Sequence, residues 1–227
     1  MAAKEVHLAA SATTDGDFIN VHGAYSPVNH LGIIANVSTY SYKADDPDAA
    51  SGNVDGKAHL AEVGAGYYYT TGNKMKVVYD LYGGIGHGAM YSDVNMIAYR
   101  GFIQPGIGFR TKYLEFSFNY RLSCIRYYSL NANGHDSTYL SQQHLVYENG
   151  RRIDNTAYLF AEPTVTIRGG YKFIKMQAQY VIANAVSHVP WVYSNEQFNL
   201  GVSFELEELL KVINKSKTKS INMGNPL

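Results

Sequence analysis

Apolar and polar side chains exchange places with a period of two along most of the chain. The alternation runs through ten segments, near 5–12, 18–26, 31–43, 59–70, 75–90, 100–111, 113–127, 158–169, 173–184 and 197–206. A period of two is that of a β-strand whose faces meet different surroundings. One face collects Leu8, Val21, Ile33, Val63, Tyr67, Leu81, Ile103, Phe116, Leu122, Ile167, Met176 and Leu200, and is expected to be free of Asp, Glu, Lys and Arg. The other carries Glu5, Glu62, Lys76, Asp80, Arg110, Glu115, Arg121, Glu162, Arg168, Lys175 and Glu205, with Asn20, His22, Asn36, Gln104, Asn119, Gln177, Asn199 and many glycines between them.

Turn chemistry orders these strands. Ser26-Pro27-Val28-Asn29-His30, Thr71-Gly72-Asn73-Lys74, Thr111-Lys112-Tyr113 and Gly169-Gly170-Tyr171-Lys172 read as tight connections. Between them fall long ones, 44–58, 91–99, 128–157 and 185–196, and only Thr13-Thr14-Asp15-Gly16-Asp17 is short on that side. Short turns at one end and long loops at the other suit an outer-membrane barrel, with a lipid-facing apolar outside and an ion-paired inside. The fold expected is all-β: an antiparallel up-and-down transmembrane β-barrel of ten strands over 1–206, with short periplasmic turns and long external loops. Residues 207–227 read as a periplasmic tail with a short amphipathic helix, from Leu206, Leu209, Leu210, Val212 and Ile213. Pro105 and Pro163 fall inside strands and predict local bulges or kinks.

Composition narrows the class further. The 227 residues carry 19 Lys+Arg against 19 Asp+Glu, which excludes the basic footprint of a nucleic-acid binder. Charged residues are only 17% of the chain, while Gly (21) and Tyr (20) are abundant, as in close-packed β-structure. No apolar run approaches the roughly 18 residues of a membrane-spanning helix. A single cysteine, Cys124 between apolar neighbours, excludes an internal disulfide and reads as a small hydrophobe. The stretch Met1-Ala2-Ala3-Lys4-Glu5 lacks a secretory h-region, so the expectation is a mature segment with an artificial start.

Several stretches resemble a known family. Gly23-Ala24-Tyr25-Ser26-Pro27-Val28-Asn29-His30-Leu31-Gly32-Ile33-Ile34-Ala35-Asn36 is similar to the second hairpin of small outer-membrane barrels from Bacteroidetes-type Gram-negative bacteria. So are Glu62-Val63-Gly64-Ala65-Gly66-Tyr67-Tyr68-Tyr69, Phe102-Ile103-Gln104-Pro105-Gly106-Ile107-Gly108-Phe109 and Phe160-Ala161-Glu162-Pro163, while Phe198-Asn199-Leu200-Gly201-Val202-Ser203-Phe204 resembles their closing strand. The resemblance covers about 5–206 and implies an outer-membrane location, often with a lipoprotein anchor on an N-terminal cysteine. It implies no activity.

The residues able to carry chemistry have two readings each. Glu62, Asp80, Arg110, Glu115, Arg121, Glu162 and Arg168 form either a charged constriction or, as favoured here, a salt-bridge network filling a narrow lumen into which Tyr68, Tyr82 and Phe160 point. His22, His59 and His87 lie on different strands from one another, with Ser38 and Ser117 scattered, and no catalytic spacing emerges. His135-Asp136 and His144 share a loop without metal-ligand spacing. Gly83-Gly84-Ile85-Gly86-His87-Gly88 is no phosphate loop, and its glycines suit close aromatic packing. The loop 128–157, whose stretch 137–147 suits a short helix or hairpin, is the candidate external contact surface, through Tyr139, Leu140 and Tyr147 together with Trp191 of the neighbouring loop. The sequence therefore points to a non-enzymatic scaffold or accessory subunit. A narrow pore for small polar solutes is second and a lipid-modifying enzyme third. The partners expected are outer-membrane lipid, lipopolysaccharide and a protein in the same membrane, with no cofactor, metal or nucleic acid.

Overall fold

A computed structural model of the chain describes residues 5–45, 53–142, 144–146, 150, 152–171, 173–190 and 195–210. In chain order the elements are β1 (Val6–Thr13), β2 (Phe18–Val28), β3 (Leu31–Asp45), β4 (Asn53–Thr71), β5 (Lys76–Tyr91), β6 (Asn95–Arg110) and β7 (Leu114–Asn131). There follow α1 (Ser137–Gln142), a 3-10 turn at Ile153–Asn155, β8 (Ala157–Tyr171), β9 (Ile174–Ile182), β10 (Asn184–Ala185) and β11 (Glu196–Glu205). Every pairing is antiparallel, and β11 returns to β1, so the sheet closes on itself. Closure removes the unpaired edges that an open sheet would present.

The wall has ten strands because β9 and β10 are one strand interrupted. Thr164 pairs with Val181 and Ala161 with Asn184, the same offset on either side of the break, which falls opposite Glu162 and Pro163. A proline has no N–H to give the ladder, and the pairing lapses there without changing register. Pro105 behaves alike: the β6–β7 ladder stops at Ile103–Leu122 and resumes at Gly106–Asn119 on the same offset. The bulges expected at these prolines are therefore gaps instead. The register shifts lie elsewhere, between Tyr25 and Val28 on β2 and between Ile97 and Ala98 on β6, where Tyr128 is the extra residue.

Side chains sort by face as their alternation demands, and the sorting is inside out relative to an ordinary globular domain. Outward Ile85 is 70% exposed, Met176 67% and Ile103 58%, whereas inward Glu62 is 6% exposed, Lys175 4% and Asn199 1%. All eleven charged residues assigned to the polar face line the lumen. Charged residues among those described correct the apolar face: Arg126 of β7 points outward, as do Lys57 of β4 and Glu196 of β11 at their strand ends.

The loop pattern also needs correction. The segment 44–58 is largely strand, since β3 and β4 stay paired out to Asp45–Asn53, and 91–99 is a turn of 92–94 between β5 and β6. Polar, Asp- and Asn-rich strand ends resemble loop in sequence because they lie beyond the apolar band. The walls are uneven as a result, with 15 to 19 residues in β3 to β8 but 8 to 11 in β1, β2, β9 and β11. Both described chain ends sit at the short-turn end, where 206–210 begin a helix; the rest of the tail lies outside the described residues.

Two apolar clusters replace a single core. Ala24, Ile34, Tyr82 and Phe102 meet within the lumen wall. The second cluster, at the loop end, joins Val94, Met96, Leu130, Leu140, Leu145, Ile153, Tyr158 and Phe160. Gly84 lies beneath the Phe102 ring, where a Cβ would overlap Phe102 and the Val63 carbonyl, while a Cβ on outward Gly101 would meet nothing within 4 Å. Gly84→Ala is expected to lower stability by about 1–3 kcal/mol through overpacking, and Gly101→Ala to stay within about 0.5 kcal/mol; urea-unfolding midpoints of the two variants check the contrast.

Candidate functional site

The lumen holds a cavity of about 1150 Å³. It reaches from Lys74, Lys112 and Glu208 at the short-turn mouth to Glu62, Arg100 and Glu162 deeper in. Charged residues of opposite sign are needed there because an isolated charge shielded from water costs several kcal/mol. They form two networks rather than one.

The deeper network centres on Glu62 of β4. Arg121 Nη1 donates to its Oε2 at 2.9 Å, Arg100 Nη1 lies 3.4 Å from its Oε1, and Asn36 Nδ2 donates to Oε2 at 3.2 Å. Arg100 also pairs with Glu162, whose Oε1 accepts a 2.6 Å hydrogen bond from the Ser123 hydroxyl. Arg121 donates through Nε to Gln104 Oε1 at 2.7 Å, and its guanidinium lies 4.3 Å from the centroid of the Phe102 ring. These contacts join β3, β4, β6, β7 and β8 across the lumen.

The second network closes the short-turn end. Arg110 contacts Glu115 at 2.6 Å and Glu205 at 2.5 Å; Lys175 contacts Glu115 at 2.7 Å and also pairs with Glu205. Arg168 lies 3.7 Å from Glu115 and donates through Nε to Gln177 Oε1 at 2.7 Å. Between the networks, His7 and His22 face one another with ring centroids 6.3 Å apart. Asn20, Asn36 and Asn199 each turn a buried carbonyl oxygen toward no protein donor. In a hydrated lumen such atoms bond to water.

Six of the seven charged residues assigned to the lumen network thus belong to one or the other cluster. Asp80 belongs to neither: its carboxylate sits beside Asn119 over Gly106, with Oδ1 buried and unbonded. Arg100, Lys175 and Glu205 complete the networks. Lys175 and Glu205 share the alternation of the other lumen residues, and Arg100 lies two positions before Phe102 and four before Gln104, so its parity was readable in the chain.

The loop-end cap lies over the β5–β8 side of the mouth. Asp136 accepts the Tyr139 N–H at 2.8 Å, starting α1, and His144 takes a left-handed φ of 56° beyond its end. Leu140 and Ile153 turn down into the apolar cluster, at 7% and 1% exposure, over the fully buried Tyr158. Tyr139 donates its hydroxyl to Asp93 at 3.0 Å, and Arg152 donates to the Leu130 carbonyl at 2.6 Å. Leu140 is thus an anchor of the cap, Tyr139 straps it to the β5–β6 turn, and Tyr147 and Trp191 lie outside the described residues.

Apart from the facing His7 and His22, the described histidines are dispersed. His59 and His87 are exposed on the outer wall beside Tyr91 and Tyr99, and His135 stacks on Tyr139 at 3.9 Å. No hydrogen bond joins His22 to Ser38 or Ser117 among the described residues, and no group of three His, Cys, Asp or Glu side chains there is arranged to hold a metal ion. No protein-family model and no curated protein matches the chain.

Removing Glu62 leaves Arg121 without a carboxylate among the described residues and Arg100 with Glu162 alone. Glu62→Ala is expected to cost about 3–5 kcal/mol, the range for breaking one side of a buried pair. Asp154→Ala, whose partner Arg152 is 41% exposed at the side chain, should cost under about 1 kcal/mol. Paired unfolding titrations measure both.

Proposed function

We propose that the protein is a non-enzymatic transmembrane barrel of a Gram-negative outer membrane. In this reading it stands with its short turns and both described ends toward the periplasm, and acts as a scaffold that holds the ordered cap at the outer surface. The observation that carries this is the inversion of the two faces, an exterior of exposed Ile, Leu, Val and Phe around a lumen of paired charges. Water would penalise that exterior, whereas hydrocarbon would not. Strand length agrees, because β2 and β11, of 11 and 10 residues, match the roughly 9–11 of a tilted membrane strand, and β1, of 8, comes within one residue. Aromatic rings gather at the two ends of the wall, as girdles do at interfaces: His30, Tyr67, Tyr69, Tyr113 and Tyr171 near the short turns, Tyr91, Tyr99 and Tyr128 toward the loops. The resemblance to small Bacteroidetes-type barrels points the same way.

Unfolded chain diluted into phosphatidylcholine vesicles should insert, float with the lipid and lose only loops to external protease. A chain that is folded and monodisperse in plain buffer overturns the reading.

The lumen cavity favours one alternative, a narrow path for small polar solutes. As a scaffold, with the cap over part of its mouth and charges bridging its interior, the barrel should leave planar bilayers silent. A steady wild-type conductance that changes in Arg121→Ala would replace the scaffold with a pore.

A further inference from the structure

The outer wall carries a cation at the loop-side edge of its apolar band. Arg126 is exposed on β7 and makes no hydrogen bond or ion pair with a described residue. It pairs in register with Tyr99 on β6, Tyr99 with His87 on β5, and His87 with Ala61 on β4, forming one row across four strands. The next outward row toward the short turns reads Cys124, Gly101, Ile85 and Val63. The small side chains of Ala61, Gly101 and Cys124, set among larger neighbours, leave a groove of about 670 Å³ that opens outward. Its walls are almost wholly apolar, with Arg126, His87 and Tyr99 along its loop-side edge.

Hydroxyl and ring donors gather at that edge. Tyr128 stacks on Tyr99 with centroids 4.5 Å apart, and its hydroxyl lies 3.4 Å from His87 Nε2. Exposed Lys57 and His59 continue the polar edge along β4. No Asp or Glu occupies an outward position of β5, β6 or β7, and outward Glu196 on the far strand β11 is engaged by Tyr180. Arg126 therefore meets no counter-charge from β5, β6 or β7, and a second copy of the chain offers no free carboxylate from these strands. An apolar trough ending in an unpaired guanidinium fits a molecule with an acyl chain at one end and a phosphate at the other.

We propose that this groove binds a phosphorylated, acylated glycolipid of the outer leaflet, the lipid A portion of lipopolysaccharide. Its phosphate sits on Arg126 and one acyl chain lies along Gly101 and Cys124. The inference rests on the transmembrane reading above, and specifies which lipid the wall selects and where.

The test uses the full chain. Insertion into vesicles of phosphatidylcholine alone is scored first, by flotation and heat-dependent gel mobility. The inserted barrel is then transferred to vesicles that also contain lipid A or its dephosphorylated form. After gentle extraction, native mass spectrometry counts the lipids that remain bound. Wild type should retain one lipid A in preference to phosphatidylcholine, and the dephosphorylated glycolipid should show no such preference. Arg126→Gln removes the charge from a side chain that makes no hydrogen bond or ion pair with a described residue. It should weaken retention about tenfold, the scale of one charge-assisted hydrogen bond. Gly101→Leu fills the trough from a position with open space, and should weaken retention similarly while leaving the charge in place. Equal retention by the three proteins, or no preference for lipid A, overturns the groove and leaves the barrel reading standing. A lipid-free dimer dispersed by the same substitutions overturns it in favour of a second copy. Failure to insert into phosphatidylcholine alone overturns the transmembrane reading and this inference with it.

Discussion

A charge inside a closed barrel is stable only where another charge or a hydrogen bond answers it across the lumen, and Glu62 is the point on which this depends most. Its carboxylate, 6% exposed, faces Asn36 on β3, Arg100 on β6 and Arg121 on β7. The strands so joined are held at fixed separation across the interior, the task that an apolar core performs in an ordinary domain. Buried ion pairs compete about evenly with apolar packing of the same volume, yet losing one partner is expensive. Such a network resists piecemeal change more than it adds stability. The cluster of Arg110, Glu115, Arg168, Lys175 and Glu205 repeats the arrangement at the short-turn end, spanning β6, β7, β8, β9 and β11.

Much of this was legible because alternation is a local signal. The face of Glu62, Arg121 or Lys175 follows from its parity along the strand, and ten alternating segments with tight turns between them suffice for an antiparallel closed sheet. Partner choice is not local. Arg121 stands opposite Glu162 in the β7–β8 register, yet its guanidinium reaches Glu62 on β4, while Arg100 bridges Glu62 and Glu162. No spacing along the chain encodes that crossing, nor the isolation of Asp80 from both networks. The polar ends of β3, β4, β5 and β6 were hidden for another reason. Beyond the apolar band alternation loses its contrast, and a paired strand then resembles a loop. Arg126 was legible by parity and lost only because the apolar pattern of β7 fades after Leu122.

The uneven wall gives the cap its seat. β5, β6, β7 and β8 run on past the shorter strands, and their inward residues at that end, Met96, Leu130, Tyr158 and Phe160, are apolar where those deeper in are charged. The change of polarity along one inner face is what lets Leu140 and Ile153 descend onto it. A polar inner rim would have left the 132–156 connection over water. Tyr139 on Asp93 and Arg152 on the Leu130 carbonyl then fix the loop laterally. An ordered cap follows from strand length and rim chemistry together.

The same taller side holds cations on both surfaces of one wall at nearly one height. Tyr99 pairs with Arg126, and the next residue, Arg100, pairs with Ile125, so the two guanidiniums leave adjacent registers in opposite directions. Inside, Arg100 is met by Glu62 and Glu162. Outside, Arg126 meets no described partner, and a lipid-facing arginine costs about 2–4 kcal/mol at mid-bilayer but close to nothing near an interface. The wall thus answers one cation with two carboxylates and leaves its neighbour without a partner among the described residues. The inner environment is closed and must be balanced by the protein itself. In the transmembrane reading the outer one is lipid, and it is the lipid that brings the anion, at the level where an apolar trough begins.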